Sequence, residues 1–423
     1  MKNSPGGPVQ APARSADFDI LVVGGGLIGS AAALGLSRQG WQVGLVEGLP
    51  RDALVADIQP ATAVGDFEPR VSALSLASQQ LLDQLGVWER VRGGRHCPYQ
   101  NMTVWDGDGT GRIQFEAAEL QAQSLGTIVE NRVVVRALFQ EILDSPVGLI
   151  DGVKVSGWWQ DASLQGIRLD DGRSLAATLV IAADGANSRL RQWAGLPTRE
   201  WDYDQQAIVC TVKTGQSHRS TAWQRFSRTG PLAFLPLLNE QGDSHFCSIV
   251  WSQDTVEARR LMALDDATFA AELERAIERE LGTVEAVSAR FAFPLRQRHA
   301  KDYVAEGLAL VGDAAHSIHP LAGQGANLGY ADVGVLLQEL YRSRSAGLSP
   351  ADAAMLARYQ RRRKGENLAM MAAMEGFKQL FGRDELPVRW LRNTGLRWFD
   401  RLGPVKHRLA AQAMGMTRSV PSG

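Results

Sequence analysis

The chain has 423 residues, 45% hydrophobic and 22% charged, with a formal net charge of −1. That length and composition suit two or three domains with sizeable cores and exclude a wholly disordered chain, and the near-neutral charge without an aromatic-basic repeat argues against nucleic acid. Three scattered cysteines, Cys97, Cys210 and Cys247, form no C-x-x-C pair and no ligand spacing with histidine, so reduced buried thiols are expected and no metal site is.

Residues 1–16 are rich in Pro, Gly, Ala and Ser and lack the apolar run of a secretory signal, which predicts a flexible tail. Phe18 to Val23, FDILVV, has the unbroken apolar character of a strand buried on both faces of a parallel sheet. Gly24, Gly26 and Gly29 follow as G-x-G-x-x-G, then a small-residue helix from Ser30 to Gln39 and a strand from Trp41 to Glu47. The first glycine permits a tight turn, the second lets backbone approach a pyrophosphate, and the third lets helix pack on sheet. Glu47 ends the second strand, where a carboxylate accepts hydrogen bonds from ribose hydroxyls. An acid there suits a free 2′-hydroxyl, as in FAD or NAD.

Pro69 to Leu74 is expected to lead into a helix through Leu85, with Arg70 at its entrance and its guanidinium available to cofactor phosphates. Val129 to Leu143 reads as a strand end and an apolar-faced helix, with Arg132 at the junction. In Leu175 to Arg191 a buried strand, Leu179 to Ala183, runs into Asp184-Gly185, and Ser188 suits a helix start. Between about Trp201 and Leu295 the pattern alternates with period two, as in antiparallel strands, and residues 96–126 read as a hairpin joining them. Trp223, Phe234 and Trp251 are either pocket or core residues on this pattern.

Leu308 to Asp332, LALVGDAAHSIHPLAGQGANLGYAD, combines an apolar strand, a Gly-Asp turn, a proline and a glycine-rich loop before an alanine-rich helix. Glycines allow backbone to lie against a flat ligand, and a helix N-terminus offers unpaired N–H groups. Val311 to Ala314 matches Ala182 to Gly185 in placing an acid just past a buried strand, the edge where open α/β sheets bind ligands. His316 and His319 in this stretch are read as hydrogen-bonded structural residues before proton-transfer groups. No run of 18 apolar residues occurs, so no spanning helix is expected. From Gln379 onward eight Lys or Arg stand against three Asp or Glu, and Val388, Leu391, Trp398, Phe399 and Leu402 share a helical face. Such a segment can rest on an anionic membrane or pack on its own domain.

GGGLIG with Glu47, PRVSALS, IVENR, ADGANSRLR and GDAAHSIHPLAGQGANLGYAD together resemble the FAD-dependent aromatic hydroxylases, and within them the ring hydroxylases of bacterial ubiquinone biosynthesis. The resemblance covers about Asp17 to Met416. It implies an α/β fold: a Rossmann-type FAD domain with an inserted antiparallel substrate sheet and a helical C-terminal segment. The matching division is a tail at 1–16, cofactor-domain parts at 17–95, 127–198 and 297–345, a hairpin at 96–126, the substrate sheet at 199–296 and a helical segment at 346–423. By the same likeness Gly24, Gly26, Gly29 and Glu47 hold the ADP half of FAD, Arg70 and Arg132 contact the cofactor, Asp184 faces FAD and pyridine nucleotide, and Asp313 binds the ribityl chain. Pro320, Gly323, Gly325, Ala326 and Asn327 then lie along the isoalloxazine ring, with Pro320 and Gly325 positioning it for catalysis and no proton-transfer base assigned.

The implied reaction is hydroxylation of a polyprenylphenol or quinol ring with O₂ and NAD(P)H or another reductant. HFCSIVWS and AAMEGFKQLF are similar to the polyprenylphenol hydroxylases, whereas STAWQRFSRTGP and FEAAEL are similar to the later methoxy-benzoquinol hydroxylases. The readings held beside these are a hydroxylase of a small soluble aromatic and a non-catalytic flavoprotein assembly subunit of the quinone pathway. The expected location is cytoplasmic and peripheral on the inner face of the membrane, with other ubiquinone-pathway proteins as partners.

Overall fold

The computed structural model describes residues 15–107, 109–161, 164–317 and 325–382. The expectations for residues 1–14, His319, Pro320, Gly323 and the segment from Val388 onward lie outside the described residues.

Phe18–Val23 is central in an eight-stranded sheet, with Val43–Val46 and Ser174–Ala182 parallel to it on either side. Its last four residues are buried, as a strand covered by helices on both faces requires. Leu308–Leu310 extends the sheet in parallel beyond Ser174–Ala182, and Gly148–Ile150 beyond Val43–Val46. Parallel neighbours need crossovers, and the Leu27–Arg38 helix supplies the first. The register sets Val23 beside Val46 and Ala182, and Ala182 beside Leu310. Four connections therefore leave the sheet along one edge, carrying Gly24, Glu47, Asp184 and Asp313.

The alternating segment forms a nine-stranded sheet whose core strands are Thr198–Thr214, Phe246–Asp254, Gly230–Leu237 and Thr221–Ser227. One face carries Ile208, Trp223, Phe234, Ile249 and Trp251 against the helices Thr255–Met262 and Asp266–Ala276. Trp223, Phe234 and Trp251 thus fill the core behind the sheet. The other face carries Ala222, Ala233, Leu235, Leu237 and Phe246 against Ala61, Phe67, Ala73 and Ile128.

Those last partners belong in part to a three-stranded sheet in which Val71–Leu74 and His96–Tyr99 flank Gly126–Glu130. Two expectations change here. Residues after Arg70 form a strand, and the helix starts only at Leu76, after Ser75 caps it by accepting from the Ser78 N–H. Pairing with a strand more than fifty residues away overrides the local helical reading. The 96–126 segment also divides: His96–Tyr99 joins the small sheet, whereas Asn101–Asp106 and Arg112–Glu116 join the large one beside Thr221–Ser227. Among the described residues no helix is long and apolar enough to cross a membrane.

Arg95 holds these layers together. Its guanidinium donates to buried Glu130 at 2.7 Å, to the Gln59 carbonyl at 2.7 Å and to Glu240 at 2.8 Å. Arg95→Met leaves the Glu130 carboxylate buried without its main partner and should lower stability by about 3–5 kcal/mol in urea titrations. Adding Glu130→Gln should recover part of that loss.

Candidate functional site

The first turn of the Leu27–Arg38 helix has no side-chain cap and no acid, so its N–H groups are available to an anion. The glycines before it have separate reasons. A Cβ on Gly24, whose φ is +103°, would meet the Ala183 carbonyl oxygen at 2.4 Å, and one on Gly29 would meet the Gly24 carbonyl oxygen at 1.9 Å. These two allow the helix to seat on the sheet. At Gly26 a Cβ would meet nothing within 4 Å, which leaves a slot in front of the helix terminus. Glu47 stands beside it, one oxygen accepting from the Gly25 N–H at 2.6 Å and the other from the Leu49 N–H at 2.8 Å. Its remaining lone pairs can accept from ribose hydroxyls.

Asp184 uses one oxygen to accept from the N–H groups of Arg189 and Leu190, at 2.9 and 3.3 Å. Its other oxygen is buried with no partner among the described residues. Ser188 caps the same short helix by accepting from the Arg191 N–H at 3.0 Å.

Asp313 is exposed, yet desolvation by the crowded walls around it pushes its carboxyl above the ordinary aspartate value. The charges of His316 and Arg70 oppose the shift, which puts Arg70 within electrostatic reach although its own side chain is exposed. Arg132 turns mainly to its own chain, donating from Nη2 to the Asp66 carbonyl at 2.5 Å, while its backbone N–H reaches Glu68 at 2.7 Å. Its Nε is buried without a partner among the described residues.

The Gly325–Ser345 helix begins with Gly325, where a Cβ would again meet only open space, and Ala326 packs at the margin of the main core. The side chain of Asn327 bonds within the protein. Its Oδ1 accepts from the Ser75 N–H at 2.9 Å and Ser78 Oγ at 2.7 Å, and its Nδ2 donates to the Ala73 carbonyl at 2.8 Å. The side chain therefore clamps the helix start to the small sheet.

Asp332 was not singled out by sequence reasoning. It is wholly buried, accepts from the Gly312 N–H at 2.9 Å and from His316 Nε2 at 2.6 Å, and so secures both flanks of Asp313. Burial opposes its charge, but His316 and Arg363 outweigh that and hold the carboxyl down to about 2. His316, buried in this contact, is placed as a scaffold residue. A signal existed: Asp332 and Glu339 both fall on the buried stripe of an otherwise apolar helix face.

The family model for an FAD binding domain matches residues 17–373. The chain belongs to that family. It is 40% identical over 399 residues to 3-demethoxyubiquinol 3-hydroxylase of Escherichia coli, covering 94% of this chain and 98% of that protein. It is 36% identical to ubiquinone hydroxylase UbiL of Rhodospirillum rubrum, covering 98% and 93%. The fold matches p-nitrophenol 4-monooxygenase PnpA of Pseudomonas putida with a TM-score of 0.74 at 19% identity, over 95% of this chain and 99% of that one. It also matches Klebsiella pneumoniae HpxO complexed with FAD and uric acid, with a TM-score of 0.71 at 18% identity, over 96% and 97%. The chain is an FAD-dependent aromatic monooxygenase of the ubiquinone-biosynthesis hydroxylase group. The uncapped helix, the slot at Gly26, the unpartnered Asp184 oxygen and the desolvated Asp313 all fit FAD.

The two kinds of glycine separate by experiment. Gly29→Ala forces backbone apart and should destabilise the apoprotein by about 3 kcal/mol or more in urea titrations. Gly26→Ala should change stability by less than about 1 kcal/mol, and FAD titration should show weakened binding.

Asp313→Asn should divide stability from binding. Because its folded-state pKa is raised, Asp313 contributes stability at low pH that is lost as pH rises through that pKa. At neutral pH the amide should leave the apoprotein melting temperature unchanged or higher. FAD should bind roughly 10- to 100-fold more weakly, the size of a lost hydrogen bond to a charged group.

Proposed function

We propose that this chain hydroxylates the aromatic ring of a polyprenylated quinol precursor of ubiquinone, consuming O₂ and two electrons from NAD(P)H or another donor. The observation that carries the reading is the 40% identity, over nearly the whole of both chains, to a 3-demethoxyubiquinol 3-hydroxylase. It favours the later, demethoxyquinol step over the earlier polyprenylphenol step. Of the two motifs that point to the earlier step, HFCSIVWS and AAMEGFKQLF, the first has Cys247, Ile249 and Trp251 buried among the helices behind the large sheet. Only its alternate residues, among them Ser248, Val250 and Ser252, share the face turned to the small sheet.

In this reading the first-turn N–H groups after Gly26 hold the pyrophosphate, Glu47 the adenosine ribose and Asp313 the ribityl hydroxyls. Arg70 and the Nε of Arg132 complete the cofactor contacts, and Asp184, with one oxygen open, faces FAD and the pyridine nucleotide. The N-terminus of the Gly325–Ser345 helix faces the polar edge of the ring, where its N–H groups and dipole stabilise negative charge. Bound FAD supplies the two-electron activation of O₂. The chain excludes water and aligns the rings, and a quinol ring is electron-rich enough to need no side-chain base.

The face of the large sheet that carries Ala222 and Ala233 is turned to the small sheet, and in this reading the aromatic head group is received on the large-sheet side of the cofactor edge. The domain division follows: the parallel-sheet segments hold FAD, and the antiparallel sheet holds the ring to be hydroxylated. The prenyl tail of such a substrate favours delivery from a lipid surface, with the basic C-terminal segment as the contact.

Purified holoprotein, reduced NADH or NADPH and a short-tailed demethoxyubiquinol should give the hydroxylated product by mass spectrometry, with one oxygen atom from ¹⁸O₂. Asp313→Asn should lower turnover at subsaturating FAD. A strain lacking its demethoxyubiquinol hydroxylase should regain ubiquinone when given this chain. Restoration only of a strain blocked at the polyprenylphenol step would reassign the substrate, and restoration by a chain unable to bind FAD would leave an assembly role.

A further inference from the structure

Two acids on the inner stripe of the Gly325–Ser345 helix are met by arginines from the antiparallel Ala353–Gly382 helix. Glu339 takes Arg358 at 2.9 Å, Arg362 at 2.7 Å and Arg342 of its own helix at 3.0 Å. Asp332 takes Arg363, whose Nε donates to Oδ1 at 2.6 Å, and Asn367, whose Nδ2 donates to the same oxygen at 3.3 Å.

The two clusters differ in what lies beyond the acid. Glu339 joins helix to helix at a half-exposed surface. Asp332 passes its second oxygen to the Gly312 N–H and to His316, which bracket Asp313. Arg363 also donates from Nη2 to the Leu328 carbonyl in the first turn of the Gly325–Ser345 helix, at 3.3 Å, and to Asn367 Oδ1 at 2.7 Å. Asp332 and Leu328 both belong to the Gly325–Ser345 helix, so one guanidinium, 1% exposed, holds that helix's first turn and the carboxylate it extends to the Gly312–Asp313 turn. A planar fork with fixed donors makes both connections at once, which an ammonium cannot do.

We propose that Arg363 is a positioning residue for the flavin: by holding Asp332 Oδ1 it fixes the carboxylate through which the Gly325–Ser345 helix grips the turn carrying Asp313, although it touches neither the cofactor nor the substrate. This rests on Asp313 as an FAD contact. Removing Arg363 also leaves Asp332 buried and charged, so a plain deletion confounds positioning with folding. Arg363→Lys keeps the charge and loses the fork. Arg363→Met with Asp332→Asn removes both charges together.

The experiment measures FAD dissociation constants, the visible circular dichroism of bound flavin and apoprotein melting temperatures for these two variants. Asp313→Asn and Arg358→Met are run beside them. Arg363→Lys and the double variant should both fold, bind FAD roughly tenfold more weakly and alter the flavin dichroism. Arg358→Met should lower the melting temperature and leave the FAD constant within about twofold, the scatter expected of a site remote from the ligand. The proposal is overturned if folded Arg363→Lys and the double variant bind FAD like wild type while Asp313→Asn does not, an outcome that leaves the Asp313 assignment standing. It is also overturned if Arg358→Met weakens FAD as much as Arg363→Lys, which reduces both clusters to general scaffolding. Unchanged FAD binding in Asp313→Asn removes the Asp313 reading and this inference with it.

Discussion

The cofactor edge depends on how closely one helix can approach one sheet. Gly29 lies against the Gly24 carbonyl and the side chain of Ala183, so the Leu27–Arg38 helix begins almost touching the neighbouring strand connection. That approach brings its free N–H groups to the line where Glu47, Asp184 and Asp313 also emerge. A side chain at Gly29 would move the helix terminus out of that line, and the remaining groups would face a dinucleotide with no seat for its phosphates. Backbone proximity comes first, and the polar chemistry is arranged around it.

A second theme is charge at the joints. Glu130, Asp332 and Glu339 are buried acids, and each is held by arginine from another part of the chain. Buried ion pairs add little net stability over well-packed apolar residues, but they penalise any arrangement that separates the partners. Each stands where two layers meet: small sheet to large sheet at Glu130, cofactor turn to last helix at Asp332, helix to helix at Glu339. That helix also reaches the large sheet, where Tyr203 donates to Glu375 at 3.3 Å. It therefore touches both the wall that carries the flavin groups and the sheet assigned to the substrate.

Local chemistry made the glycine turn, Glu47, the Ser188 cap and the period-two strands readable from the chain alone. Each depends on residues within a few positions of one another. Val71–Leu74 was misread because a four-residue strand has no periodicity of its own and exists through pairing with Gly126–Glu130. Asn327 lies on the ring by family likeness, and nothing near it in the chain announces that its Oδ1 accepts from Ser75 and Ser78. Arg363 was the least visible. It sits in a run of three arginines and a lysine, Arg361 to Lys364, and only the helix phase turns one of them to the interior.

The placement of Arg363 also bears on biosynthetic timing. The groups around the flavin edge come from chain positions as far apart as Gly24 and Asp332, and the residue that braces the last of them follows later still, on another helix. A ribosome-bound chain that has exposed every glycine of the nucleotide motif still lacks the guanidinium that neutralises Asp332. That edge is complete only when elements from both ends of the described chain have packed together.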